Sequence, residues 1–293
     1  LVLMASVTSL PELMTGVSAT VIVRSADLAV GDIFGSCAFN LFILAMLDAF
    51  VPRHQSIFGI ASQTHILAAA MSIILLSLAG AGLFLPAYFS VGAGLGLISV
   101  ACIVIYLVSI RVLYRFEVRR KAMLAASEEK RTAMQMPLRK VILRYALFAA
   151  IIIGAALLLP YFANHIAEQA SLSKSFVGTL FVAVSTSLPE IAVSIAAIRL
   201  GSIDLAVGNL LGSNIFNILI LSLDDLFYSD AVLLHDASDA NILSVFSTLL
   251  MTAIAIAGLM FHAETKRYRM ALDAFLIFAV YLLNLLLLYK LDQ

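Results

Sequence analysis

Thr8, Ser9, Leu10, Pro11 and Glu12 recur in the same order as Thr186, Ser187, Leu188, Pro189 and Glu190, each copy inside a long apolar stretch. A glutamate in hydrocarbon is costly and is kept chiefly where it meets a cation, a proton or a water-filled path. Thr8 and Glu12 are four residues apart and share one helix face, as do Thr186 and Glu190. The proline cannot donate a backbone hydrogen bond and crowds the carbonyl four residues back, which frees the carbonyls of Val7 and Ser185 as further oxygen ligands. A second block follows each motif: residues 27–44 read against 204–221 with 11 of 18 positions identical. It brings Ser36 with Asn40, and Ser213 with Asn217, again at helical spacing. Carboxylates, hydroxyls, amide oxygens and freed carbonyls form a hard-oxygen set, suited to calcium or sodium and poorly suited to zinc or copper.

Blander roles compete at each position. A proline among hydroxyls in a membrane helix is often only a kink, but that leaves a glutamate beside each proline unexplained. Ser36, Asn40, Ser213 and Asn217 could act as interhelical hydrogen-bond glue instead of ligands. Gly31 with Gly35, and Gly208 with Gly212, read as small-residue pairs that let helices approach. Asp27 and Asp204 fall at helix starts and read as caps. Asp48, Asp225 and Asp273 receive no role. Cys37 and Cys102 sit within apolar spans and the five histidines lack ligand spacing, so neither a disulfide framework nor a zinc site is expected.

The elements that must carry these residues are membrane helices. Hydrophobic residues make up 62% of the 293-residue chain, charged residues only 12%, and the mean hydropathy is +1.06, more apolar surface than a soluble fold can hide. Apolar runs predict nine spans, near 1–23, 28–50, 64–85, 89–114, 138–163, 172–198, 203–227, 240–262 and 269–290. The chain carries no net charge, yet 10 of its 18 Lys and Arg lie between Arg111 and Arg144, which places that loop in the cytoplasm. Counting spans puts Arg53, Lys266, Arg267 and Arg269 on the same side, with Asp224, Asp225, Asp230, Asp236 and Asp239 opposite. The two motif spans are five apart and so run in opposite directions, making the copies an inverted repeat. A first half, 1–114, and a second half, 138–293, are joined by a polar linker, 115–137. The second half carries a span ahead of its motif helix and the first does not, so one N-terminal helix is expected to be missing.

These paired motifs resemble those of the cation/calcium exchanger superfamily, whose inverted repeats carry Thr-Ser-Leu-Pro-Glu-like and Gly-Ser-Asn-x-x-Asn/Asp sequences. The resemblance implies an all-α integral membrane protein of inverted five-helix repeats, with two bundles around a midplane ion site and a cytoplasmic loop after the fifth helix. It also implies that Glu12 and Glu190 are the central calcium ligands. Thr8, Ser9, Ser36, Thr186, Ser187 and Ser213 would supply hydroxyl or carbonyl oxygens around them. Many sodium-coupled members have an aspartate at the last motif position of one repeat, where this chain has Asn40 and Asn217. Asp32, one turn before Ser36, stands where the second copy has Asn209 and could restore that charge. Cys37 also replaces the asparagine found at Asn214.

The expected activity is antiport of Ca²⁺ against Na⁺ by alternating access, with H⁺-coupled exchange as the alternative because of the missing carboxylate. A cation channel is a remote alternative. An intramembrane enzyme is another, but no nucleophile–base pair supports it. No cofactor beyond the transported ions is expected, and the partners are Ca²⁺, Na⁺ or H⁺ and the lipid bilayer, not nucleic acid. The expected location is the plasma (inner) membrane.

Overall fold

The computed structural model describes residues 2–52, 55–62, 64–85, 90–91, 95–124, 138–261, 266 and 270–291. Each predicted apolar span contains a helix within these residues. The first span is broken. Helix α1 (Val2–Thr8) ends at Ser9, α2 (Leu10–Val17) restarts there with Pro11 as its second residue, and Ser18–Val23 continues as a π-helix. Proline is tolerated in the first turn of a helix, where no amide donor is needed, so the chain resolves Pro11 by ending one helix and starting another. Next come α3 (Ala26–Asp48), the short α4 (Ile57–Ile60) and α5 (Thr64–Gly82). An antiparallel pair of two-residue strands, β1 (Ser90–Val91) and β2 (Leu95–Gly96), leads into α6 (Leu97–Leu124).

The second half repeats the plan. Helix α7 (Leu138–Ala170) precedes α8 (Lys174–Val177), a π-helical turn over Gly178–Val182, α9 (Ala183–Thr186) and α10 (Leu188–Arg199). The last two segments meet at Ser187 with a bend of 44°. Then follow α11 (Ile203–Phe227), α12 (Leu233–Asp236), α13 (Asn241–Phe261) and α14 (Leu272–Leu291).

Two boundaries depart from expectation. The 89–114 span begins as a helix only at Leu97, because Ser90–Gly96 contains the strand pair. Its helix then continues to Leu124, so the polar linker starts inside a helix; Arg, Lys, Glu and Met are good helix formers and nothing before Leu124 breaks it. The rest of the linker, 125–137, lies outside the described residues, as do Arg53, Arg267 and Arg269.

Burial separates the helices into a centre and a perimeter. Of the most apolar stretch in each helix, 89% is buried in α3 and 83% in α11, against 22% in α6 and 17% in α7. Helices α3 and α11 pack on each other, and the broken motif helices lie against them. Apolar side chains such as Leu147, Phe148, Ile151 and Phe162 on α7 point outward, which in water would be an aggregation hazard and in a bilayer is the lipid-facing surface. The close approach of α3 to the Gly178–Val182 turn depends on glycine: a Cβ on Gly35 would lie 2.6 Å from Thr179 Cα. Gly212, at the equivalent position of α11, faces Ala5 Cβ of α1 at 3.1 Å from such a Cβ.

Candidate cation site

Both helix breaks fall on motif serines, Ser9 (φ −88°, ψ 18°) and Ser187 (φ −84°, ψ 10°). That is two residues beyond Val7 and Ser185, whose carbonyls the prolines deprive of a partner. Glu12 and Glu190 each lie in the first turn of the restarting helix, where the partial positive charge of the amide end favours a carboxylate. Both are fully buried.

The two halves hold each other's glutamates. Ser9 Oγ donates to Glu190 Oε1 at 3.1 Å, and Ser187 Oγ donates to Glu12 Oε1 at 3.2 Å. Ser213 Oγ also reaches Glu190 Oε1, at 3.4 Å. On the other side Ser187 Oγ meets Ser36 Oγ at 3.2 Å, and Ser36 Oγ lies 3.3 Å from Thr186 Oγ1. Thr186 donates to Asp32 Oδ1 at 2.9 Å, while its counterpart Thr8 donates to Asn209 Oδ1 at 3.4 Å. Asp32 is therefore at the centre, fully buried in the second turn of α3 and far from the snorkelling position a helix end would give it.

The atoms left over define what the cluster lacks. Glu12 Oε2, Asp32 Oδ2, Glu190 Oε2, Asn40 Oδ1 and Asn217 Oδ1 are buried without a hydrogen-bond partner among the described residues. These five are acceptor oxygens, against two unpartnered donors, Asn209 Nδ2 and Asn217 Nδ2, and an unpartnered buried carboxylate oxygen is costly unless a cation or proton meets it. Lys266, the one buried lysine or arginine among the described residues, is bound to Asp48 and supplies no charge here. Among the described residues no three His, Cys, Asp or Glu side chains converge as a chelating group. A cation would therefore have to draw on neutral hydroxyl and amide oxygens as well as the carboxylates.

The chain matches the family described as sodium/calcium exchanger protein over residues 1–115 and 140–290. It belongs to that family. The sodium/calcium exchanger MaX1 of Methanosarcina acetivorans is 41% identical over 127 residues, covering 41% of this chain and 33% of MaX1. The inner membrane protein YrbG of Escherichia coli is 30% identical over 225 residues, 73% of this chain and 64% of YrbG. The matched regions thus span a third of MaX1 and just under two thirds of YrbG. The fold is shared with solved structures: the sodium-calcium exchanger NCX_Mj, soaked with Na⁺ and Sr²⁺, superposes with a TM-score of 0.61 at 19% identity, covering 96% of this chain and 83% of that one. The H⁺/Ca²⁺ exchanger CAX superposes with a TM-score of 0.63 at 12% identity, covering 99% and 75%. This exchanger-family chain is an integral, multi-pass, all-α membrane protein.

Asn40 has the interhelical role weighed for it: its Nδ2 donates to Asn214 Oδ1 at 2.9 Å, tying α3 to α11, and its Oδ1 has no hydrogen-bond partner among the described residues. Asn214 in turn donates to the Cys37 carbonyl at 3.0 Å. The residue absent from the sequence-derived set is Asn209, which receives Thr8 as Asp32 receives Thr186; its signal was its place opposite Asp32 in the repeat. Asp27 and Asp204 do bind helix starts, but those of other helices. Asp27 accepts the Ser238 amide ahead of α13, and Asp204 accepts the Ser62 amide ahead of α5. Asp48 and Asp225, given no role from sequence, are anchors. Asp48 accepts the amides of Ile57 and Ala271, and Asp225 those of Leu233 and Gly96. Asp273 stays without an assigned role.

Proposed function

We propose that this exchanger-family protein is a secondary antiporter that moves Ca²⁺ against Na⁺ by alternating access. Glu12 and Glu190 bind the Ca²⁺, and Thr8, Ser9, Ser36, Asn40, Asp32, Thr186, Ser187, Ser213 and Asn217 complete the cation sites. The observation that carries this reading is the crossed pair Ser9–Glu190 and Ser187–Glu12, each glutamate keeping one buried oxygen free. Each half positions the other's ligand, so a relative movement of the halves would take the site apart on one side and rebuild it on the other, as alternating access requires.

Charge supports sodium as the counter-ion. Glu12 and Glu190 balance one Ca²⁺. With Asp32 the buried cluster carries three carboxylates, matching three monovalent cations, and uncompensated charge in a membrane interior is costly. Proton coupling is the second reading. It is favoured by the neutral Asn40 and Asn217 where a further carboxylate would otherwise raise the preference for metal ions. The orientation follows the basic residues: segment 115–137 on the cytoplasmic side, the 228–239 loop outside, in the plasma (inner) membrane.

Proteoliposomes loaded with Na⁺ and diluted into radioactive Ca²⁺ decide among these readings. An outward-directed Na⁺ gradient at constant pH should drive Ca²⁺ uptake several-fold above an equal-Na⁺ control. Uptake driven only by a pH gradient would transfer the protein to the proton-coupled reading. Equal flux with no counter-ion gradient of either kind would make it a passive pore.

A further inference from the structure

One buried carboxylate outside this cluster stands unpartnered. Asp224, in the last turn of α11, is fully buried, and neither of its oxygens has a hydrogen-bond partner among the described residues. Its neighbour Asp225 contrasts with it, because Asp225 is satisfied by two backbone amides and the Ser99 hydroxyl. Asp224 instead rests against Gly16 of α2, and a methyl group on Gly16 would fall on its carboxylate. Gly16 is one helical turn after Glu12 on the same face. Farther along that strand of chain, Arg24 meets Asp230 at 3.8 Å on the surface, so the end of the molecule bearing the acidic 228–239 loop lies beyond Gly16. Asp224 thus sits between Glu12 and that face.

The arrangement is one-sided. In the repeat, Gly16 corresponds to Ser194 and Asp224 to Leu47, both buried, so the other half has no acid in the matching place. A packing role does not account for this, since Leu47 fills the equivalent space without the cost of burying a carboxylate.

We propose that Asp224 is a binding station for one monovalent coupling cation, Na⁺ or H⁺, beside Gly16, which is one helical turn from Glu12, and on one side of the central site only. The inference rests on the antiporter reading. A single buried carboxylate with no donor must be met by a proton or a cation. One negative charge balances one monovalent ion, whereas a divalent ion would leave a buried excess. The station would make the two access routes unequal, although the central motifs are nearly symmetric.

The test counts ions. Purified protein in Ca²⁺-free detergent is assayed for ²²Na⁺ bound at saturation and for protons taken up on acidification, comparing wild type with Asp224→Asn. Asp224→Ser serves if the amide impairs folding. Loss of about one Na⁺, or of about one proton, per protein is expected, and the count that falls names the ion. In proteoliposomes the half-saturating Na⁺ or proton concentration for Ca²⁺ flux should also rise by about tenfold, equivalent to a coupling of roughly 1.4 kcal/mol. Unchanged counts would overturn the proposal. So would a fallen proton count with unchanged flux, which would make Asp224 a buried acid off the path. Failure of the antiporter reading is separate, because it shows as absent counter-ion-driven Ca²⁺ flux in the wild type.

Discussion

Thr186 donates its hydroxyl to Asp32 at 2.9 Å, and its repeat partner Thr8 makes the equivalent bond to the neutral Asn209 at 3.4 Å. The same threonine on each broken helix thus meets a carboxyl group in one half and an amide in the other. A hydrogen bond to a charged acceptor is worth more than one to an amide, about 1.5–3 kcal/mol. Asp32→Asn would make the two sides alike. It should weaken Na⁺-driven Ca²⁺ flux by roughly tenfold or more while Ca²⁺ binding weakens less, and Asn217→Asp in the same chain should restore part of the loss. Isotope flux against a Na⁺ series measures both; an unaltered sodium dependence would remove Asp32 from coupling.

Glu12→Gln and Glu190→Gln should each abolish Ca²⁺ transport. Glutamine keeps the shape and can still accept from Ser187 or Ser9, so the fold survives while the charge is lost. Monodisperse elution in detergent should be retained. Wild-type flux in either variant would end the assignment of the two glutamates as ligands.

Labelling tests the orientation. Cys37 and Cys102 are buried, which leaves a quiet background for single cysteines placed at Ser127 and Ser229. Impermeant maleimide should reach Ser229→Cys from outside intact cells and Ser127→Cys only after permeabilisation. Labelling of both from one face contradicts the inverted arrangement with its basic linker inside.

Two glycines should respond in opposite directions. Gly35→Val places a branched side chain where even a Cβ would lie 2.6 Å from the Thr179 backbone, so α3 and the Gly178–Val182 turn must separate. A loss of about 1–3 kcal/mol, or several degrees in Tm, is expected. Gly154 in α7 has nothing within 4 Å of such a Cβ. Gly154→Ala should therefore be neutral or raise stability by about 0.5–1 kcal/mol through helix propensity.

What the sequence made readable was whatever the chain states twice. The duplicated Thr-Ser-Leu-Pro-Glu, the Ser36 and Asn40 spacing and the opposite direction of the two motif spans led to the inverted halves and the residues of the central cluster, because local spacing and hydropathy carry that information; the break of each motif span at Ser9 and Ser187 did not show in them. Contacts between distant segments were not readable. That Ser9 holds Glu190 rather than Glu12, that Asn209 accepts from Thr8, and that Asp27 and Asp204 accept amides ahead of helices in other segments all follow from tertiary crossing. Asp48 and Asp225 were passed over for the same reason: a carboxylate at the end of a span looks unremarkable until the amides of Ile57, Ala271, Leu233 and Gly96 arrive beside it.

Those last two residues occupy equivalent places in the repeats yet are satisfied differently. Asp225 is met by the Ser99 hydroxyl, whereas Asp48 is met by Lys266, whose Nζ lies 3.1 Å from Asp48 Oδ1 with both side chains fully buried. Lys266 also donates to the carbonyls of Asp48 and Val51, which pins the approach to α14 onto the end of α3. Two charges withdrawn from water gain little net stability over a well-packed apolar pair, but removing one leaves the other buried and unpaired at a cost of about 3–5 kcal/mol. Lys266→Met should therefore lower Tm in detergent sharply. Adding Asp48→Asn should recover much of the loss, since the amide oxygen still accepts from Ile57 or Ala271. Asp225→Asn, which strands no partner charge, should cost less than Lys266→Met alone. Thermal unfolding of the four proteins checks the order, and a Lys266→Met variant that melts with the wild type would show that the pair does not hold this corner of the fold.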